Sequence, residues 1–215
     1  LRALAERLTA AGYVRCEQVE GAGQFAVRGG ILDVYSPMSA PVRVEFFDTE
    51  IDAMGEFDVA TQRRTKNLEE LTVLPAAEVL PFAAEGGRDA MLARMEHAAA
   101  QLAKKVTTEK TAAAIRADMD RLREGLPLGG MDRYLAAAYP TAVCAADYLP
   151  EGSIVLVCEG SRVMERAKGC AFEWGEDLKI LLEEGVLAGQ FASLAVELED
   201  LTRRLRGSFP LLLCD

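Results

Sequence analysis

The segment Val42–Phe47, VRVEFF, constrains the fold strongly, because its alternation assigns a direction to every side chain. Successive strand residues point to opposite faces of a sheet. Val42, Val44 and Phe46 therefore share one apolar face that needs a core. Arg43, Glu45 and Phe47 share the other and are expected to point outward. The preceding segment repeats the logic, with Phe25 and Val27 on one side and Gln24, Ala26 and Arg28 on the other. An arginine beside an outward aromatic is a composition typical of protein-binding hot spots. Spacing alone is met as well by a solvated sheet face carrying one stray aromatic.

Around this segment the chain reads as a short helix followed by strands. Leu1, Leu4, Ala5 and Leu8 form one stripe, and Gly12 stands where helices stop. Strands are expected over residues 13–19, Gln24–Arg28, Ile31–Tyr35, Val42–Phe47 and Glu50–Phe57, with Gly29-Gly30 as a hairpin turn. An extended piece is expected over residues 72–74. The pattern predicts an antiparallel meander with an N-terminal helix, an α+β layout. Residues 75–87 carry two prolines and two glycines and are read as the domain boundary.

Beyond the boundary the period changes. Met91, Met95, Ala98 and Leu102 mark one helix and Ala112, Ile115, Met119 and Leu122 a second, with Thr107 or Thr108 as its cap. A short helix over 134–139 and a strand over 153–158 follow. Helices are then expected over 161–167 and 177–184, and another that Ser193 caps, running to residue 206. Leu211–Cys214 reads as a final strand, giving an α/β pattern.

Composition removes several function classes. The net charge of −10 argues against a basic nucleic-acid-binding module. No apolar run is long enough to cross a bilayer. The five cysteines, Cys16, Cys144, Cys158, Cys170 and Cys214, fit neither a zinc site nor a disulfide framework; they are expected to be free, mostly buried thiols in a reducing cytoplasm. The chain opens without methionine in what reads as mid-helix and closes just after an apolar strand, the pattern of a piece cut from a longer protein.

Catalytic constellations are sparse. Asp33, Glu45, Asp48, Glu50 and Asp52 are acidic, but no histidine accompanies them, and they read as solubilising charge at strand ends. His97, the single histidine, reads as a surface residue on a helix. Phosphate-cradling glycine motifs are absent from the sequence. SIVLVCEG, residues 153–160, resembles the buried strand that leads into the Mg²⁺-binding acidic pair of phosphate-loop ATPases. Cys158 stands at its first acidic position and only Glu159 remains; a thiol is a poor Mg²⁺ ligand. An ordinary strand end fits those residues equally well.

The runs GQFAVRGGILDVYSP, PVRVEFFDTEID, FDVATQRR and PAAE, followed in order by GMDRYL and DYLPEGSIVLVCEGSRV, resemble the N-terminal, UvrB-homology region of the bacterial transcription-repair coupling factor family, Mfd. The resemblance implies that residues 1–80 correspond to the UvrB-like domain that docks on UvrA. The family's two docking arginines and phenylalanine fall on Arg28, Arg43 and Phe47, the outward positions already found by alternation. It implies that residues 81–215 are a degenerate RecA-like α/β segment with a helical pair, lacking its N-terminal half. Cys158-Glu159 then replaces an intact Asp-Glu, and apolar surface is left uncovered, repacked or self-associated. The implied role is cytoplasmic, non-catalytic and cofactor-free: recruiting UvrA to stalled transcription complexes for nucleotide excision repair. The ATP-driven DNA translocase and the RNA polymerase-binding domain of the parent lie elsewhere. The rival implication is an ATP-dependent translocase or helicase fragment with residual nucleotide or DNA binding.

Overall fold

A computed structural model describes residues 1–126, 128–141 and 143–214. The chain divides into two units, residues 1–90 with 120–132, and residues 91–119 with 133–215.

The first unit is α+β. Helix α1 (Arg2–Ala10) precedes a six-stranded sheet in sequential order: β1 (Val14–Cys16), β2 (Gln24–Arg28), β3 (Ile31–Tyr35), β4 (Val42–Phe47), β5 (Glu50–Phe57) and β6 (Arg64–Leu68). The alternation of β2–β4 does what it predicts on one side. Phe25, Leu32, Val34, Val42 and Val44 are buried in a cluster with Leu8 and Tyr13, and Leu1, Leu4, Ala5 and Phe46 pack against it. Burying a side chain of this size stabilises by about 1.5–3 kcal/mol each, so helix and sheet hold one another. Gly12 ends α1 at φ 88°, and a Cβ there would come within 2.4 Å of Ala77 Cβ.

Three expectations are corrected. The sheet is mixed, because β1 runs parallel to β2. Residues 17–23 make the crossover and lay Val19, fully buried, beside Ala26 and Phe57 on the face away from α1. Gln24 Oε1 pins this crossover by accepting from the N–H groups of Glu20 and Gly21 at 2.8 and 3.1 Å. Second, β6 was not expected: RTKNL has no apolar alternation because it is an edge strand whose side chains are mostly exposed. Third, residues 72–74 join no strand; the Tyr13 hydroxyl donates to the Leu74 carbonyl at 2.5 Å.

The second unit contains most of α2 (Gly87–Leu102) and α3 (Glu109–Arg123), the short α4 (Leu135–Ala138), β7 (Val155–Cys158), α5 (Gly160–Glu183), α6 (Leu198–Ser208) and β8 (Leu211–Cys214). Met91, Met95, Ala98, Ala112, Ile115 and Met119 are buried, as their spacing predicts. Thr108 caps nothing; its hydroxyl donates back to the Leu102 carbonyl at 2.6 Å. Tyr134 is buried edge-on against Phe191, ring centroids 5.7 Å apart. β7 and β8 pair in parallel and bring Cys158 opposite Cys214.

Helix α5 runs unbroken for 24 residues where two helices were expected. Gly169 and Gly175 invite a break, but a mid-helix glycine costs only about 1 kcal/mol. None of its residues is buried, and Phe172 and Ile180 are exposed. α6 begins after Glu197, so Ser193 does not cap it. Cys16 and Cys144 are half-buried, but Cys158, Cys170 and Cys214 are exposed, against the expectation of mostly buried thiols.

Candidate functional site: an arginine pair on a buried carboxylate

The site lies on the sheet face away from α1. Ala26, Asp33, Arg43 and Gly55 stand abreast on β2, β3, β4 and β5. Gly55 is demanded by the neighbouring edge strand: a Cβ there would meet the Lys66 carbonyl oxygen at 2.6 Å and the Arg64 side chain at 3.1 Å. Arg28 is two residues beyond Ala26 and so belongs to the same face.

Asp33 joins the two arginines. Its carboxylate is wholly buried. Oδ1 accepts from Arg43 Nε at 2.6 Å, and Oδ2 accepts from Arg43 Nη2 at 2.8 Å and Arg28 Nη2 at 2.6 Å. The Arg43 fork is the bidentate geometry that makes such pairs strong and directional. Arg43 also donates through Nη1 to the Gln62 carbonyl at 3.2 Å and through Nη2 to Gln62 Oε1 at 3.1 Å. Its guanidinium carbon stands 4.8 Å from the centroid of the Phe57 ring, a cation–π distance. The hydrogen bond to Asp33 is the main reason the Arg43 pKa is raised, against the opposing effect of burial.

The two arginines are therefore not equivalent. Arg43 is mostly covered, with 16% of its side chain exposed, whereas Arg28 keeps 43% exposed. Phe47 projects at the end of β4 and is 79% exposed. It occupies the same end of the sheet as Arg28, since Phe46 N–H donates to the Gly30 carbonyl at 2.8 Å. A Cβ on Gly30 would meet the Phe46 carbonyl oxygen at 2.9 Å, so this junction admits only glycine without a shift. The expected outward placement thus holds for Phe47 and Arg28, while Arg43 is a half-buried strut.

Asp33 is the residue that strand-end reasoning misplaces. It is not a solubilising charge but the buried anion that joins both arginines. Its signal was present in ILDVY: a carboxylate in mid-strand between apolar neighbours must be paired. Gln62 gave no signal; it accepts from Arg43 out of a turn in which its φ is 60°. The remaining acids are separate. Glu45 pairs with Arg64 at 2.5 Å, and Asp48, Glu50 and Asp52 are exposed around the β4–β5 turn.

In the second unit, Cys158 is exposed and Glu159 forms the turn into α5 at φ 53°. The Glu159 amide donates to the Cys214 carbonyl at 2.7 Å, and its carboxylate pairs with Arg162. His97 is exposed beside Gln101. A hollow of about 320 Å³ is lined in part by Asp118, Arg133 and Tyr134. Its charges satisfy one another: Asp118 Oδ2 accepts from Arg133 Nη2 at 2.6 Å and from the Tyr134 hydroxyl at 2.5 Å. No group of three or more potential metal ligands occurs among the described residues. None of the described helices is long and apolar enough to cross a membrane.

Comparison with known proteins shows what the chain is similar to. Residues 1–79 match the UvrB interaction domain. A transcription-repair-coupling factor of Bacillus subtilis is 33% identical over 187 residues, covering 85% of this chain and 16% of that protein. One of Mycobacterium bovis is 37% identical over 166 residues, 75% of this chain and 13% of its own length. One of Myxococcus xanthus is 35% identical over 158 residues, 71% of this chain and 12% of its own. The chain therefore spans a small part of the curated relatives it matches.

Proposed function

From the homology of this chain to transcription-repair-coupling factors, with a UvrB interaction domain over residues 1–79, we propose that it is a non-catalytic docking piece that recruits UvrA to stalled transcription complexes. Residues 1–80 are the docking domain. Arg28, Arg43 and Phe47 form its surface and meet an acidic, partly apolar patch on UvrA. Arg28 pairs with a carboxylate of the partner, and Phe47 supplies the aromatic anchor that loses its water on docking.

One observation carries this reading: a phenylalanine that has no place in the core stands 79% exposed at the same end of the sheet as a half-exposed arginine. An exposed aromatic on a rigid strand end loses little conformational entropy on binding.

Residues 81–215 are a degenerate RecA-like segment with no ATP turnover of its own. Cys158 in place of a carboxylate supports this, as does the engagement of Glu159 by Arg162. ATP-driven movement on DNA and attachment to RNA polymerase belong to other parts of the parent protein. The test is a pull-down with purified UvrA. Wild type is expected to retain UvrA, and Arg28→Ala, Arg43→Ala and Phe47→Ala to lose it. Retention by the folded triple variant, or ATP turnover by the chain, overturns the proposal.

A further inference from the structure

The triad separates a residue that presents charge from the residues that carry it. The Asp33 carboxylate has no exposed surface and cannot touch a partner. It nevertheless receives three hydrogen bonds from the two guanidinium groups of the docking face. Two positive charges against one negative leave a surplus of one, and the more exposed bearer is Arg28. An arginine free on a surface has many rotamers, and ordering it on binding is costly. Here the ordering is done beforehand. Asp33 fixes one Nη of Arg28 and the whole inner edge of Arg43, while Gln62 and the Phe57 ring hold Arg43 from the other sides.

We infer that Asp33 is a positioning residue of the docking surface, anchoring the Arg43 guanidinium as a strut and holding the Arg28 guanidinium in the orientation that receives a carboxylate of the partner, with Gln62 as its accessory. The inference rests on the docking reading above. It makes a prediction opposite in sign to simple electrostatics. Asp33 contributes a negative charge to a positive patch. Were charge alone in control, neutralising it would tighten the grip on an acidic partner. If orientation controls affinity, the same change weakens it.

The experiment is a calorimetric titration of the whole chain with UvrA for wild type, Asp33→Asn and Gln62→Gly, each also followed through the Arg43 Nε–Hε resonance. Glycine at 62 tolerates the turn's φ of 60° and keeps the carbonyl that Arg43 Nη1 uses; it removes the side-chain acceptor together with that side chain's donation to the Val59 carbonyl at 2.8 Å. Asp33→Asn is expected to raise Kd roughly tenfold and Gln62→Gly roughly threefold. Both should leave the stoichiometry unchanged and the Arg43 resonance displaced. Unchanged stoichiometry separates lost orientation from a partly unfolded sample. Should Asp33→Asn fail to fold, Gln62→Gly decides alone. Binding by a folded variant as tight as wild type overturns the inference and leaves the docking reading standing. Failure of wild type itself to bind UvrA removes both.

Discussion

Asp33 and Arg43 face one another across β3 and β4 in a two-pronged ion pair, Nε to Oδ1 at 2.6 Å and Nη2 to Oδ2 at 2.8 Å, with the carboxylate shut off from solvent. Removing one partner of a buried pair strands the other charge. Asp33→Ala is expected to cost about 3–5 kcal/mol of stability. Arg28→Ala removes a half-exposed partner and is expected to cost no more than about 1 kcal/mol. Urea titration of both variants checks the contrast; equal losses would show that Arg28 carries as much of the fold as Asp33.

Phe47 offers the opposite separation. It contributes nothing to the core, so Phe47→Ala should change stability by less than about 0.5 kcal/mol. UvrA affinity should fall by about 1–3 kcal/mol, the range for truncating a hot-spot aromatic. Thermal melts beside calorimetry report the two quantities independently.

Gly30 and Gly29 are neighbours with different constraints. A methyl at 30 collides with the Phe46 carbonyl oxygen at 2.9 Å, whereas one at 29 meets nothing within 4 Å but sits at φ 59°. Gly30→Ala is expected to lose about 1–3 kcal/mol through overpacking, and Gly29→Ala about 1–2 kcal/mol through left-handed strain. Of the two, only the first should disturb the backbone amide signals of Phe46 and Phe47.

Tyr134 makes the second unit sensitive to alkali. Burial raises the phenol's pKa, and its hydrogen bond to Asp118 adds to the shift. A group whose pKa is raised in the fold stabilises fully below its unfolded value and loses that contribution as pH rises. An unfolded tyrosine ionises near pH 10. Stability should therefore hold up to about pH 9 and fall from about pH 10 upward. Tyr134→Phe should flatten that fall in melts recorded across this range.

The register of β7 and β8 is testable through its thiols. Cys158 and Cys214 are direct partners in the pairing, so their Cα atoms lie about 4.8 Å apart. Dibromobimane, which fluoresces strongly once both its arms have reacted, should bridge them. The signal should vanish in Cys158→Ser and persist in Cys170→Ser. A one-residue slip in register turns one thiol to the opposite face and abolishes the bridge.

The sequence exposed whatever depended on alternation. β2, β3, β4 and β5 occur at the bounds their patterns predict, and so do the apolar face and the projecting Phe47. What it concealed depended on chain reversal and pairing partners. The parallel course of β1 is set by Val19 finding Ala26 and Phe57 across the sheet, a meeting no local window contains. β6 hid because an edge strand needs no apolar stripe. The inward turn of Arg43 was invisible because two-face reasoning sends every charge outward, and only the central position of Asp33 argues otherwise. Cys158 and Cys214 are distant in the chain and adjacent only through register.

The two margins of the first sheet also bear on how it can be recognised. On one side lies β1, only three residues long; on the other lies β6, which carries Arg64 and Lys66. Short or cationic borders are poor templates for an incoming strand. A visiting strand thus finds little main-chain ladder to pair with, which disfavours recognition by strand addition. Discrimination is left to the protruding chemistry of one surface, and the same borders protect the domain against runaway polymerisation with its own copies.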